Sequence, residues 1–219
     1  MCLVYTILLP IVIYGSPLHF SEKIDVIIID PAHGGIDQGA MTNYLVSEKQ
    51  VTLLEKNITL QVAESLKEQL MNIFPNTKII MTRDEDVFMS LEERTEIVNS
   101  LHLTKDKRAV FISLHANYSM DKNNRGYEIF IRNETSENLK IAEKVHIGFT
   151  NVIGETLPFR GIQQSDFFIL QRISIPAIII ELGFLSNNQD LVLLHSDNGI
   201  EYYSTALLQG ILAYIESLD

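Results

Sequence analysis

The stretch Val26-Ile-Ile-Ile-Asp-Pro-Ala-His-Gly-Gly35 contains an apolar run that stops at Asp30-Pro31 and is followed by a histidine and two glycines. The run from Val26 to Ile29 has the character of a strand that is buried on both faces of a sheet. Pro31 ends it because proline has no backbone N–H to donate to a neighbouring strand. The two glycines permit positive φ angles and a close approach of the backbone. The sequence therefore predicts a tight turn that holds His33 at the carboxyl end of a strand.

A second histidine follows another β-rich run. Ala109-Val-Phe-Ile-Ser-Leu-His-Ala-Asn117 places His115 near the end of a predicted strand. Open α/β sheets bind ligands outside the carboxyl ends of their strands, and two strands of one sheet can bring two imidazoles together. Because imidazole nitrogens bind metals well, His33 and His115 are candidate metal ligands. The alternative for His33 is a turn residue that only hydrogen-bonds its own loop.

A glutamate lies near the end of a third apolar run, Pro176-Ala-Ile-Ile-Ile-Glu-Leu-Gly-Phe184. Burying an isolated carboxylate is unfavourable unless it is paired or bound to a metal. A glutamate beside a metal-activated water is also well suited to act as a general base. Glu181 is therefore a candidate catalytic residue, and the alternative is a strand-end glutamate that reaches solvent.

The composition indicates one globular domain without a disulfide framework. The chain has 219 residues, of which 46% are hydrophobic, and Cys2 is its one cysteine. This length suffices for a sizeable single core, and one cysteine cannot form an intrachain disulfide. The formal net charge is −11 and no basic run occurs, which argues against binding to nucleic acid.

Residues 1–22 differ in kind from the rest of the chain. Leu3 to Tyr14 is almost wholly apolar, and no Lys, Arg, Asp or Glu precedes Glu22. The run is short for a membrane-spanning helix but suits the apolar core of an export signal, with small residues at Gly15-Ser16 near a candidate cleavage point. We expect 1–22 to be a signal peptide or a membrane anchor, which would be the chain's one contact with a membrane. A buried strand is the alternative.

The remaining chain alternates predicted strands and helices, as in a βαβ architecture. Strands are predicted at 25–30, 78–82, 109–114, 127–132, 166–170 and 177–180. Helices are predicted at 55–71, from the Ser90-Leu-Glu-Glu93 capping box to residue 100, at 136–153 and at 202–218. The predicted fold class is α/β, with a single mixed, mostly parallel twisted sheet of about six strands and helices on both faces.

Taken in order, these segments resemble the zinc-dependent N-acetylmuramoyl-L-alanine amidases of the bacterial cell wall, the amidase-3 type. The resemblance runs from about Val26 to the C-terminus, and no single motif in it is specific. The motifs that carry it together are Asp30-Pro-Ala-His-Gly-Gly35, Glu55-Lys-Asn-Ile-Thr-Leu60, Met81-Thr-Arg-Asp84, Leu91-Glu-Glu-Arg94, Ser113-Leu-His-Ala-Asn117, Gly126-Tyr-Glu128 and Pro176-Ala-Ile-Ile-Ile-Glu-Leu-Gly-Phe-Leu-Ser-Asn187.

The resemblance implies that 23–219 is an amidase catalytic domain. Its reaction would be hydrolysis of the amide between the lactyl group of N-acetylmuramic acid and L-alanine of the stem peptide. The implied cofactor is Zn²⁺, bound by His33, His115 and a glutamate, with Glu181 as the catalytic residue. Asn117 is a candidate substrate-binding residue, with a turn-forming role as the alternative. The implied substrate is peptidoglycan, the implied location is the periplasm or cell wall after export, and a protein activator is a further expectation.

The third zinc ligand in that family is the glutamate of a Glu-Lys pair at the start of the first helix, and this chain has two such pairs. Glu48 fits when counted forward from His33, whereas Glu55 fits when counted back from Met81. Glu55 also leads the stronger helical pattern, and a carboxylate is favoured at a helix N-terminus. We therefore expect Glu55 to be the ligand and Glu48 to be the alternative, with a short insertion between 41 and 54.

Two rival functions remain open at this point, a zinc peptidase acting on stem peptides and a wall-binding protein without catalysis. Some amidases of the family carry an inhibitory helix after the second histidine. The region from Tyr118 to Gln171 offers little room for one, so no such helix is expected. We also expect Arg83 to have a structural role, paired with Asp84, Asp86 or a helix end.

Overall fold

The computed structural model describes residues 23–46, 49–103, 107–133 and 136–218. Two expectations fall outside these residues: the signal peptide or anchor at 1–22, and Glu48 as the alternative third ligand. Within the described ranges, each helix is too short or too polar to cross a lipid bilayer.

Eight strands are described. In chain order they are β1 (Val26–Pro31), β2 (Met41–Val46), β3 (Lys49–Leu54), β4 (Lys78–Met81), β5 (Ala109–Asn117), β6 (Tyr127–Ile131), β7 (Phe159–Gln164) and β8 (Ala177–Phe184). Six of them form the main sheet, in the order β4-β1-β5-β8-β6-β7. The first four in that order run parallel, whereas β6 runs antiparallel to β8 and parallel to β7. The carboxyl ends of β1, β5 and β8 therefore share one edge of the sheet with the amino ends of β6 and β7.

Helices cover both faces of this sheet. They are α1 (Glu55–Ile73), α2 (Leu91–Asn99), α3 (Ser136–Val152), α4 (Phe168–Arg172), α5 (Asn188–His195) and α6 (Asp197–Glu216), with a 3-10 turn at Gly154–Thr156. One core contains the buried faces of α1, α3, α5 and α6, and the other contains those of α2 and α4. Ser90 and Glu93 form the predicted capping box at the start of α2. The predicted fold class is confirmed.

β1 begins with an unbroken apolar run because both of its faces are buried. Side chains of a strand alternate between the two faces of its sheet. Ile27 and Ile29 pack into the core on the α1 face, and Val26 and Ile28 pack into the core on the α2 face. All six residues of β1 are buried. A polar residue at any of these four positions would therefore lie in one core or the other.

One predicted strand is wrong. Residues 166–170 were expected to be extended, but Phe168–Arg172 forms the short helix α4. A run of four apolar residues fits a strand or one helical turn equally well by periodicity. The sixth strand is instead β7, which the sequence did not reveal because it is a largely exposed edge strand without regular apolar alternation. The count of six strands is correct, but the sixth strand lies elsewhere in the chain.

The expected insertion between 41 and 54 is an antiparallel hairpin of β2 and β3. Its register pairs Met41 with Leu54, so the hairpin closes directly before Glu55. Tyr44 anchors it through an edge-on contact with the His195 ring of α5, at a centroid distance of 5.1 Å. The described helices between β5 and β8 are α3, which packs against α6, and the short α4. The absence of an inhibitory helix stays a prediction.

Candidate metal centre and active site

The turn after β1 holds His33 in an uncommon backbone conformation. His33 has a φ of 60°, in the left-handed region that residues with side chains rarely adopt. The two glycines that follow are required by close contacts. A Cβ on Gly34 would lie 2.1 Å from the carbonyl oxygen of Val87, and one on Gly35 would lie 2.5 Å from the backbone nitrogen of Phe88. The turn can therefore pack against the loop before α2 only with glycine at both positions.

Two buried arginines bind the backbone carbonyls of this turn. Arg83 has the structural role expected of it. Its Nε donates to Pro31 O at 3.0 Å, and its Nη2 donates to Ala32 O at 2.9 Å and, at the start of α1, to Lys56 O at 2.7 Å. Arg94 donates from Nη1 to Pro31 O at 2.8 Å and from Nη2 to His33 O. Guanidinium groups suit this role because they present several donors in one rigid plane.

A buried lysine completes the support. Lys56 donates from Nζ to Gly35 O at 2.8 Å and to Asp86 Oδ2 at 2.7 Å. Asp86 in turn accepts from the backbone N–H of Gly35 at 2.8 Å. Both ends of the turn are thus held by charged side chains from other elements, which keeps the His33 ring aimed at one place.

Asp30 compensates part of this buried positive charge. It is fully buried, and it accepts hydrogen bonds of 2.6 Å from Arg94 Nη1, Thr82 Oγ1 and Ser113 Oγ. A buried carboxylate is tolerated when its oxygens are satisfied in this way. The aspartate that ends the apolar run therefore anchors Arg94, the arginine that holds the turn.

The structure brings His33, Glu55 and His115 together. Glu55 Oε1 lies 3.1 Å from His33 Nε2 and 3.2 Å from His115 Nδ1, and one ligand atom from each residue lies within 4.8 Å of the others. The two rings meet edge to face at a centroid distance of 5.4 Å. Glu55 reaches this position because it is the first residue of α1, directly above the carboxyl ends of β1 and β5. Sequence analysis predicted this trio.

Outer contacts orient the three side chains. His33 Nδ1 lies 2.8 Å from Asp37 Oδ2, which leaves Nε2 facing the centre of the cluster. Glu55 Oε1 accepts from Ala116 N at 3.0 Å, and its Oε2 accepts from Ala40 N at 2.7 Å. Carboxylates and backbone groups that orient the first ligands are typical of metal sites.

The three side chains of the cluster shift one another's pKa values. Burial lowers the pKa of His33, but the hydrogen bond and charge of Glu55, with those of Asp37, outweigh it and raise the pKa to about 9. Burial raises the pKa of Glu55, but hydrogen bonds from His115 and His33 hold it well below its usual range. Burial likewise lowers the pKa of His115, but Glu55 and Glu181 outweigh burial, so that the pKa lies above its ordinary value.

This donor set fits a divalent metal. Two imidazole nitrogens and one carboxylate oxygen converge on one point, and both imidazoles compete for the same carboxylate oxygen when no cation is present. Three protein ligands with room for one more group are the pattern of catalytic zinc sites.

Glu181 lies beside the cluster, on the next strand. It stands opposite His115 in the register of β5 and β8. The residue is half-buried, yet its Oε2 atom is enclosed and has no hydrogen-bond partner among the described residues. Burial raises the pKa of Glu181 to about 7, and the charges of Glu55 and Glu128 add to this while His115 opposes it. A carboxylate with such a pKa can both take up and release a proton near neutral pH.

Asn117 lies at the end of β5, next to this glutamate. Its Nδ2 donates to Glu128 Oε1 at 3.0 Å, and its Oδ1 accepts from the backbone N–H of Tyr118 at 2.7 Å. Both contacts fit the turn-forming alternative, and its role toward substrate stays a prediction. Sequence analysis assigned no role to Asp37 or Glu128, although both occur within or beside the quoted motifs. Both are polar residues close to the predicted strands, but only the fold shows which groups they face.

A metal-binding donor set next to a proton-accepting carboxylate, at the carboxyl edge of an α/β sheet, suits a hydrolase that uses a bound metal. Residues 27–213 match the family described as N-acetylmuramoyl-L-alanine amidase, Amidase_3. The chain belongs to this family, as the sequence motifs predicted.

Similar proteins carry the same description. The chain is 30% identical to the probable cell wall amidase LytH of Staphylococcus epidermidis over 191 residues, which are 87% of this chain and 58% of that protein. The chain thus spans less than two thirds of the length of this relative. Its fold is similar to the catalytic domain of CwlV, an N-acetylmuramoyl-L-alanine amidase from Bacillus (Paenibacillus) polymyxa, with a TM-score of 0.75, 26% identity and coverage of 90% and 100% of the two chains.

A further similar structure is the CwlD amidase of Clostridioides difficile in complex with the GerS lipoprotein. The TM-score is 0.74 at 25% identity, and the match covers 88% of this chain and 98% of that one.

Replacing Arg94 by Met should destabilise the protein strongly, because the carboxylate of Asp30 would be left buried without its cation. We expect the free energy of unfolding to fall by about 3–5 kcal/mol, measured by chemical denaturation. Lys140→Met, which removes the partly exposed ion pair with Glu137, is the control and should change stability by less than about 0.5 kcal/mol. A loss below about 1 kcal/mol for Arg94→Met would contradict the proposed anchoring.

Replacing Glu181 by Gln should stabilise the metal-free protein at alkaline pH. The folded-state pKa of Glu181, about 7, lies above its ordinary value, so folding is penalised by ionisation as pH rises from about 4.5 to 7 and stays penalised above that. The Gln variant should exceed the wild type by about 3 kcal/mol at pH 8 and match it at pH 4. Thermal unfolding in a chelator at both pH values would measure this. An equal difference at the two pH values would contradict the raised pKa.

Proposed function

We propose that this chain hydrolyses the amide bond between N-acetylmuramic acid and L-alanine of peptidoglycan in a Zn²⁺-dependent reaction, with 23–219 as the catalytic domain. The observation that carries the proposal is the convergence of His33, Glu55 and His115 with Glu181 opposite His115 on the next strand. Family membership supports the choice of bond, and the amidase names of the similar proteins agree with it.

In this proposal His33, Glu55 and His115 hold the metal. Zn²⁺ is preferred because two imidazoles and one carboxylate are a common donor set for catalytic zinc. When bound, Zn²⁺ supplies Lewis acidity, which polarises a carbonyl and acidifies water. Asp37 keeps His33 in the tautomer that presents Nε2 to the metal.

Glu181 acts as the general base and then as the general acid. Its carboxylate takes a proton from the attacking water, and the same proton passes to the nitrogen of L-alanine as the amide bond breaks. The enclosed position of Oε2 explains how a glutamate can do both, since burial brings its pKa to about 7. Asn117 holds substrate or the developing oxyanion with its amide group, next to Glu128.

The location and partners follow from the substrate. Peptidoglycan lies outside the cytoplasmic membrane, so we propose that the chain is exported to the periplasm or cell wall through the segment 1–22. The relative LytH is named a cell wall amidase, and CwlD has been solved in complex with a lipoprotein. A protein activator or partner is therefore part of the proposal.

Removing and restoring the metal tests the reaction itself. Muropeptides incubated with the purified protein should release a free stem peptide that begins with L-alanine, as detected by mass spectrometry. The product should disappear when a chelator is added and return with Zn²⁺. Cuts inside the stem peptide would indicate the peptidase alternative. Binding without any product, in protein that retains zinc, would indicate the wall-binding alternative.

A Glu181→Gln variant tests the base. The change keeps the shape of the side chain but removes its proton-accepting oxygen, so turnover should fall by about 10³-fold or more while zinc content stays normal. Glu55→Gln should instead lose zinc, as measured by atomic spectroscopy. Glu143→Gln, on the exposed surface of α3, is the matched control and should leave both quantities unchanged. Near-normal turnover in Glu181→Gln would exclude it as the base.

A further inference from the structure

A row of charged side chains crosses the sheet away from the metal cluster. In register, His115 of β5 stands opposite Glu181 of β8, and Glu181 stands opposite Glu128 of β6. Beyond Glu128, the pairing of β6 with β7 is interrupted by a bulge, where Arg160 and Gly161 face it. Adjacent strands lie about 4.8 Å apart, so the Arg160 backbone lies two strand spacings, about 10 Å, from that of Glu181.

The bulge directs Arg160 toward this row. Gly161 has a φ of 112°, and bulges commonly redirect a side chain next to an active site. The Arg160 guanidinium lies over the ring of Phe184 at 4.9 Å. Its polar contacts within the described residues are long: Nε to Glu128 Oε2 at 3.4 Å and Nη1 to Arg125 O at 3.5 Å. Arg160 is therefore held by the ring and by an ion pair with Glu128 at 3.4 Å, while the residue stays exposed to solvent.

The nearby Arg125 is not equivalent. Its Nη2 donates to the carbonyl of Thr156, and its Nε lies 3.5 Å from the buried carboxylate of Asp190. Arg125 is thus occupied by structural contacts. Arg160, which is exposed, is the cation of this side of the site that a ligand can reach.

The opposite side of the cluster has a different character. A cavity of about 260 Å³ next to His33 and His115 is lined by Phe88, Met89 and Leu91. The charged groups near it are acidic, among them Asp37, or are buried cations that already bind carbonyls, such as Arg94. This side suits a neutral, partly apolar group and offers no free cation among the described residues that line it.

The two sides match the two halves of the proposed substrate. On the sugar side of the scissile amide, the muramoyl group is neutral until the bond is cut. On the peptide side, L-alanine is followed by D-glutamate, whose free carboxylate is the anion nearest to the scissile bond. Because the whole chain carries a net charge of −11, an anionic peptide would be repelled unless a cation were placed for it.

We infer that Arg160 binds the free carboxylate of the second stem-peptide residue, so that the peptide lies across β8, β6 and β7 while the sugar lies on the His33 side. This inference rests on the proposed amidase function and adds to it a specificity-determining residue. A guanidinium and a carboxylate pair through two parallel hydrogen bonds, which amidation of the carboxylate would remove.

Two muramoyl tripeptides test the inference: one with D-glutamate and one with D-isoglutamine as the second residue. The wild type should prefer the acid form by about 10- to 100-fold in kcat/KM, mainly through KM, because a hydrogen bond to a charged group is worth about 1.5–3 kcal/mol. In Arg160→Met, the ratio of the kcat/KM values for the two substrates should fall to about one. The variant should cleave the amidated substrate as efficiently as the wild type does. Arg160→Lys should retain part of the preference.

Arg172→Met is the matched control. Its guanidinium also lies over a phenylalanine ring, that of Phe168 at 5.0 Å, but at the far end of α4. It should keep the wild-type preference. Equal losses on both substrates in Arg160→Met would show a structural role only, and an absence of preference in the wild type would overturn the inference.

A binding measurement separates this inference from the amidase proposal. The free tripeptides L-Ala-D-Glu-L-Lys and L-Ala-D-isoGln-L-Lys can be titrated into the zinc-loaded wild type and Arg160→Met by calorimetry. Tighter binding of the acid peptide, lost in the variant, would support the inference even if neither muramoyl substrate were cleaved. Equal binding of both peptides by the wild type would overturn it, whatever the activity.

Discussion

The carbonyl groups of the turn after β1 are bound by buried cations, and the geometry of the site depends on that arrangement. Arg83 and Arg94 hold the first half of the turn, and Lys56 holds its end. A histidine with a positive φ angle is unfavourable by itself, and it persists only where contacts with the surrounding structure hold it in that conformation. The buried cations provide those surroundings, so His33 keeps the orientation in which its Nε2 faces Glu55.

The same constraint links the core to the chemistry. Asp30 is the last polar residue of β1 before Pro31, and it is buried because Val26 to Ile29 fill both faces of the sheet. Its carboxylate fixes Arg94, and Arg94 fixes the backbone that carries His33. On the other side of the cluster, β8 is equally apolar, and this burial is what gives Glu181 a pKa near neutrality. Strand burial thus acts on both the proposed metal ligand His33 and the proposed base Glu181.

Because the chain is acidic, the proposed binding of an anionic peptide depends on where its few available cations lie. Arg83, Arg94 and Lys56 bind backbone carbonyls of the turn that carries His33. Along the whole chain, acidic residues outnumber basic ones. A local cation on β7 then has a larger effect than the net charge, because it acts at contact distance and is only partly screened there. In our proposal, the preference for the acid form of the peptide depends on the position of the Arg160 guanidinium.

Sequence patterns identified most of the fold but not every element. The apolar runs of β1, β5 and β8 and the capping box at Ser90 are local signals, and they predicted the corresponding elements. β7 was missed because an edge strand needs neither apolar faces nor regular alternation, and α4 was read as a strand because four apolar residues have no readable period. The trio of ligands was predicted from motifs, whereas the supporting contacts of Lys56 and Arg83 join residues far apart in the chain.

The sequence by itself determined where strands end and which residue types stand at those ends, since burial and backbone restriction act on neighbouring residues. It also determined the family, because several motifs occur together in one order. Only the tertiary structure decided the strand order β4-β1-β5-β8-β6-β7, and with it which side chains meet. That order places Glu128 and Arg160 beside Glu181, and no local pattern could reveal this, because it arises from the pairing of strands whose residues lie far apart in the chain.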